Sequence, residues 1–300
     1  MRLKQPFLLS KETTMILIAD GGSTKCDWIL MNNAGEQIFK TRTKGLNPAV
    51  FPELMLEQRI DENPDLQDVK NKVERVHFYG AGCGTEAPRR LLQDIIANFF
   101  TNASEVIVKE DMVAAALAAT TEPGIVCILG TGSNSCYFDG EEVHMAVASL
   151  GFILMDEASG NYFGKRLIRD YYYKRMPPEL ALKFSAAFNL DSDEIKKNLY
   201  KKENPNTYLA SFAEFIFTNE RNGYFYKLVH EGIQEFINTR VLCFKQAQNV
   251  PIHFIGSIAF FSEDIIRAVA QPYNLEIGNI IRRPIDGLIE HYRKNVLTTY

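Results

Sequence analysis

The sequence predicts a two-domain mixed α/β protein in which one structural unit is used twice. Three observations carry this. The chain has 300 residues, 46% of them hydrophobic, enough for two cores. Apolar runs of strand length alternate with amphipathic helical stretches, which is the pattern of an α/β sheet. One arrangement, an apolar strand, a glycine–hydroxyl turn and a returning strand, occurs at residues 15–31 and again at 124–139.

The first half begins with Ile16–Ala19 and Asp27–Met31 as paired strands, joined through Asp20-Gly21-Gly22-Ser23-Thr24-Lys25. Asn32-Asn33-Ala34-Gly35 turns the chain into a third strand, Glu36–Arg42. After the loop Gly45-Leu46-Asn47-Pro48, the apolar spacing of Phe51–Ile60 predicts a helix. Val73–Tyr79 reads as a strand that runs into the small-residue loop Gly80–Gly84, and Thr85 is placed to cap the next helix. Glu105–Val108 is a further strand, and Asp111 opens the alanine-rich helix Met112–Ala119.

The second half repeats the opening: strand Gly124–Leu129, turn Gly130-Thr131-Gly132-Ser133-Asn134-Ser135, and returning strands Cys136–Asp139 and Val143–Ala148. Helices are predicted over 161–175, 178–188, 191–201 and 205–217, followed by one long helix over Gly223–Gln246. Ile252–Ile255 is a core strand, Gly256-Ser257 opens a helix through Ile258–Val269, Leu275–Ile277 is a short strand, and a last helix runs from Pro284 to Lys294. The division falls near Thr120–Gly124, giving an N-terminal domain over 15–120 and a C-terminal domain over 121–300 with helical insertions. Residues 1–14 read as a disordered lead. Their Phe7-Leu8-Leu9 core is too short for a secretory signal, and Met15 is itself a candidate first residue.

Composition narrows the function. A net charge of −4 with no long basic run argues against nucleic acid. No apolar run approaches the ~20 residues that span a bilayer, so no membrane segment is expected. The five cysteines are scattered, odd in number and lack any C-x-x-C spacing, which suits reduced thiols in the cytoplasm. The histidines show no ligand spacing, Cys83 reads as a small buried residue, and Trp28 as core.

The chemistry concentrates in the two turns. Glycines let backbone approach a ligand, and the N–H groups of such turns converge on anions. Gly22, Ser23, Thr24 and Lys25 form one candidate phosphate cradle, and Gly130, Thr131 and Gly132 the other. The bland alternative is a pair of ordinary hairpin turns. Asp20, at the end of a buried strand, is the candidate Mg²⁺ carboxylate. If the halves face one another, both turns border one cleft.

These residues resemble a family. Asp20–Asp27 is similar to the first phosphate loop of the actin, sugar kinase and heat-shock chaperone ATPase superfamily, and Gly130-Thr131-Gly132-Ser133 to its second. Phe254-Ile255-Gly256-Ser257-Ile258-Ala259 resembles its adenosine motif, and Gly151–Gly160 the Gly-Asp-Glu-Gly-Ser-Gly segment of N-acetylglucosamine kinases, which are grouped with the activator ATPases of benzoyl-CoA reductase. Ser23, Met155 and Ala158 stand where that pattern has glycine, and the histidine–cysteine zinc site of another sugar-kinase group is absent.

The resemblance implies a duplicated ribonuclease H-like, actin-like ATPase fold with a nucleotide cleft, and an ATP- and Mg²⁺-dependent kinase acting on an amino sugar. A homodimer is compatible with it. Asp111 takes the position of the family's general base, and the plain alternative is a helix N-cap. Gly256 and Ser257 let a helix N-terminus approach the nucleotide, or form a simple strand–helix turn. Asn47, Asn134, Asp156 and Glu157 are the candidates for sugar hydroxyls. Asn47 also suits a turn before Pro48, and Asp156-Glu157 a helix cap. Two other functions fit the same residues: an ATPase activator carrying an iron–sulfur cluster between subunits, and a nucleotide or sugar sensor without transfer activity.

Overall fold

The computed structural model describes residues 15–220 and 223–296. The expected N-terminal lead lies outside the described residues. The chain divides into two compact units, one running to Asp111 and resuming at Ile289, the other spanning Met112–Leu288.

In the first unit, β1 (Met15–Gly21), β2 (Lys25–Asn32) and β3 (Gln37–Lys44) form an antiparallel meander. β4 (Arg75–Gly80) and β5 (Glu105–Glu110) extend it in parallel, giving the order β3-β2-β1-β4-β5. In the second unit, β6 (Gly124–Leu129), β7 (Ser133–Phe138) and β8 (Val143–His144) form the meander, and β9 (Ile252–Ile255) and β10 (Ile277–Ile281) the parallel extension. Its order, β8-β7-β6-β9-β10, is the same, so the repeat in the sequence is a repeat of topology. Both units are α/β, as expected.

Burial follows from the residue pattern. The central strand β1 is apolar at five successive positions, Met15–Ala19, and all five are buried, as a strand covered on both faces requires. The helix Glu86–Phe99 turns Leu92, Ile95 and Ile96 inward on one stripe. Trp28 is fully buried, its Nε1–H donating to Thr43 Oγ1 at 3.1 Å and its ring 5.9 Å from that of Phe78. No described helix is long and apolar enough to cross a membrane.

Several boundaries differ from expectation for local reasons. The helix Asp111–Ala119 packs its small side chains Ala115, Ala116 and Ala119 with Val126, Cys136 and Ile255. The units therefore divide at Asp111, ahead of Thr120–Gly124. Thr85 occupies the N-cap of its helix but makes no side-chain cap bond. β8 is only two residues long, and the chain beyond it is largely exposed. The long helix from Gly223 ends at Phe236 and passes into a π-helical turn, Ile237–Val241, where the Arg240 carbonyl accepts the Ser135 hydroxyl at 2.7 Å. The stretch 205–217 is two helices, Pro205–Ser211 and Glu214–Thr218. The stretch after Gly256 breaks at Ser262 into Ser257–Phe261 and Glu263–Ala270. An unanticipated helix, Pro64–Val69, is capped by Asn63, which accepts the Leu66 N–H at 3.0 Å.

Trp28→Ala empties a site with no solvent access, so urea unfolding followed by circular dichroism should show a loss of about 3–5 kcal/mol. A loss below about 1 kcal/mol would show that the first core collapses around the missing ring.

Candidate functional site

The turn between β1 and β2 is built from outside as well as from within. Gly22 N–H closes it on the Lys25 carbonyl at 2.8 Å. The segment after β3 then lies on it. Gly45 N–H donates to the Thr24 carbonyl and Leu46 N–H to the Gly22 carbonyl, each at 3.1 Å. A Cβ on Gly45 would overlap the Ser23 carbonyl, so only glycine lets the two backbones come this close. Asn47, buried, donates from Nδ2 to Ser23 Oγ at 2.8 Å and accepts the Ala49 N–H at 3.0 Å. The Gly22, Thr24 and Lys25 carbonyls are thus bonded, while the Ser23 N–H has no acceptor among the described residues.

The charged groups around the turn are not equivalent. Asp27 is buried and takes the Arg42 guanidinium at 2.8 and 2.7 Å, with Lys25 Nζ 3.4 Å away. Burial pushes its carboxyl up, but the Arg42 bond and the Lys25 charge outweigh that and hold it below the usual range. Lys25 therefore shares its charge with Asp27. Asp20, opposite Asp27 in the ladder, accepts no hydrogen bond among the described residues. Burial first, then the Asp27 charge, push its carboxyl up to about 6, against the weaker pull of Lys25 and Lys40. Among the described residues no group of three or more His, Cys, Asp or Glu side chains is placed to hold a metal ion. A single unpartnered carboxylate fits Mg²⁺, which takes one or two carboxylates and completes its shell from phosphate and water.

The register of the parallel strands sets what stands beside Asp20. Gly21 pairs with Gly80 and Gly80 with Glu110, so the carboxyl ends of β1, β4 and β5 bring Asp20, the Gly80–Gly84 loop and Glu110-Asp111 to one edge of the sheet. Ligands of such sheets bind at that edge. Asp111 is the first residue of its helix, beside the positive end of the dipole. Glu110, which the sequence reading passed over, is pushed up by burial. Cys83 is buried, and burial together with Asp111 and Glu110 raises its thiol to about 12, which suits a packing residue and not a nucleophile.

The second unit builds its turn by the same device. Gly130 N–H bonds the Gly132 carbonyl at 3.0 Å. The first amides of the helix Gly160–Tyr172 then reach back, Gly160 N–H to the Gly130 carbonyl at 2.8 Å and Asn161 N–H to the Thr131 carbonyl at 3.0 Å. The N–H groups of Thr131 and Gly132 have no acceptor among the described residues. Gly256 follows β9 with φ +118°, and a Cβ there would overlap the Leu129 carbonyl. That close crossing brings exposed Ser257 beside the turn. Asn134 stands on β7 with its Oδ1 accepting the Ser135 N–H at 3.0 Å.

The loop before the helix is the most constrained backbone here. Asp156 (φ 72°) and Ala158 (φ 56°) are left-handed without being glycine, and Ala158 is where the resembling family has one. Each costs about 1–2 kcal/mol. Asp156, buried, accepts Asn161 Nδ2 at 2.8 Å. Burial pushes its carboxyl up, opposed by the bonds from Asn161 and the Ser133 backbone. The helix cap is neither Asp156 nor Glu157 but Ser159, whose Oγ accepts the Tyr162 N–H at 3.2 Å. Buried polar atoms without a partner gather here: Ser133 Oγ, Asn161 Oδ1 and Glu157 Oε2. Beside Glu157 lies Arg240, 2% exposed, a residue that falls inside the long helix predicted over Gly223–Gln246 and was not singled out from the sequence.

Among solved structures, the chain is similar to a candidate N-acetylglucosamine kinase from Porphyromonas gingivalis. The two are 34% identical over 93% of this chain and 99% of that one, with a TM-score of 0.87. A second candidate N-acetylglucosamine kinase, from Chromobacterium violaceum, is 14% identical over 93% of this chain and 98% of that one, with a TM-score of 0.71. A glucokinase from Streptomyces griseus, solved with glucose and AMPPNP, is also 14% identical over 93% and 98%, with a TM-score of 0.56. The last two share the fold. No family model matches the chain, and no curated protein matches it.

The carboxyl of Asp20 moves from 3.8 unfolded to about 6 folded, so its ionisation opposes folding as pH rises between those values. Asp20→Asn should therefore stabilise the chain by roughly 1–3 kcal/mol at pH about 8 and by much less at pH about 4 in urea unfolding without metal. An equal effect at both pH values would contradict the assignment.

Proposed function

This chain belongs to the sugar-kinase family of the Porphyromonas gingivalis protein, and on that premise we propose that it transfers the γ-phosphoryl group of ATP to the C6 hydroxyl of N-acetylglucosamine or a close amino sugar. The observation that supports this most is the pair of turns. In each, carbonyls are bonded by N–H groups from another segment, while the N–H of Ser23 in one and of Thr131 and Gly132 in the other stay open for phosphate oxygens. An ordinary hairpin turn has no need of either arrangement.

The roles divide by unit. In the first, the Ser23 N–H and the Thr24 hydroxyl bind phosphate, and Lys25, shared with Asp27, adds positive charge. Mg²⁺ held by Asp20 would neutralise phosphate charge. Asp111 accepts the proton of the sugar hydroxyl as its oxygen bonds to the γ-phosphorus and the bond to ADP breaks. In the second unit, Gly130, Thr131 and Gly132 bind phosphate, while Gly256 and Ser257 admit the nucleotide to a helix N-terminus. Asn47, Asn134 and Glu157 read the sugar hydroxyls, and Asp156, already bonded to Asn161, shapes the loop that presents them. The grouping with benzoyl-CoA reductase activators is part of the proposal at the level of ancestry only. An iron–sulfur bridge between subunits needs exposed thiolates, and of the five cysteines only Cys243 is exposed. The free thiols suit a reducing cytoplasm.

A coupled ADP-release assay across hexoses and amino sugars should show turnover stimulated by N-acetylglucosamine or a near analogue. ADP release indifferent to every sugar would overturn the reading in favour of an activator or sensor. Asp111→Asn should lower turnover by ~10²–10⁴-fold with nucleotide affinity within about twofold of wild type. Near-normal turnover would remove Asp111 from the chemistry.

A further inference from the structure

Among the described residues Arg240 is the one strongly buried guanidinium, and nothing in the phosphate chemistry uses it. It projects from the π-helical turn Ile237–Val241, a local expansion of helix that often marks a functional position. Its five N–H donors are poorly served. NH1 reaches the Val147 carbonyl at 3.3 Å and NH2 the Met155 sulfur at 3.2 Å. Nε stands 3.8 Å from Glu157 Oε2, beyond a direct hydrogen bond, and that oxygen has no other partner. A charge removed from water ordinarily takes close, saturated partners. Here the cation and its carboxylate face each other across a gap.

The gap lies in a loop that cannot hold itself. Glu157 is flanked by left-handed Asp156 and Ala158, so its direction depends on what grips it from outside. Asp156 is fixed by Asn161, and Met155 by its amide bond to the Gly151 carbonyl at 2.9 Å and by Arg240. Among the described residues only Arg240 is paired with the Glu157 side chain by opposite charge.

We propose that Arg240 is a positioning residue that aims the Glu157 carboxylate at a sugar hydroxyl, so that Glu157 accepts its hydrogen bond and the chain selects substrates carrying that hydroxyl. The inference rests on the sugar-kinase reading. Met155 is part of the device: standing where the resembling family has glycine, it supplies the sulfur against which the guanidinium rests. A site built this way penalises substrates lacking the hydroxyl, because the buried acceptor is then left unpaired.

The test is a double-mutant cycle with Glu157→Gln, Arg240→Met and the combination, measuring sugar KM, ATP KM and kcat on folded protein. Each single change should raise the sugar KM at least ~10-fold with ATP KM within about twofold, and the double should be no worse than the worse single. Arg240→Lys should recover part of the loss. If Arg240→Met does not fold, the cycle is closed with Arg240→Lys, and Glu157→Gln, which keeps size and shape, still reports. An unchanged sugar KM in Glu157→Gln, fully additive effects, or equal rises in both KM values would overturn the proposal and leave the kinase reading standing. Sugar-independent ADP release by the wild-type chain would overturn both.

Discussion

Each candidate phosphate site depends on how its own hairpin turn disposes of its carbonyl groups. A tight turn exposes both donors and acceptors, and an anion wants only the donors. In the first unit, Gly45 and Leu46 take the Thr24 and Gly22 carbonyls. In the second, Gly160 and Asn161 take those of Gly130 and Thr131. The segments that do this are unrelated, a loop after an edge strand in one case and a helix N-terminus in the other. The result is similar: open N–H groups beside carbonyls that are mostly bonded. The shared sheet order puts each turn at the corresponding corner of its own sheet.

Polar groups near these turns are held at a cost to stability. Asp20 is raised to about 6 by burial and by Asp27, without a hydrogen bond to offset it. Asp156 and Ala158 are left-handed, and Ser133, Asn161 and Glu157 each leave a buried oxygen unpaired. Such groups are destabilising unless something else binds them. They contrast with the paired groups nearby, such as Asn47 to Ser23 and Trp28 to Thr43.

What the sequence made legible was local. Continuous apolar runs of strand length and glycine turns identified β1, β2, β6 and β7 within a few residues, because strand and turn are decided by neighbours in the chain. The duplicated sheet followed from their repetition. What was not legible depended on partners far along the chain. Gly45 looks like any loop glycine until the Ser23 carbonyl is beside it. Arg240, in Ile237-Asn238-Thr239-Arg240-Val241, falls inside the one long helix that the sequence predicts, with nothing local to mark it as buried. In the structure it sits in a π-helical turn and is buried. The cap of the helix Gly160–Tyr172 fell to Ser159 because the two acids before it are bent away by left-handed backbone.

The central claim is that the open amides of each turn bind nucleotide phosphate. Amide hydrogen exchange with and without Mg²⁺ and a non-hydrolysable ATP analogue addresses it directly. Exchange should slow in peptides covering residues 20–25 and in those covering 130–133. Slowing in only one of them, or in neither at saturating nucleotide, would contradict the account.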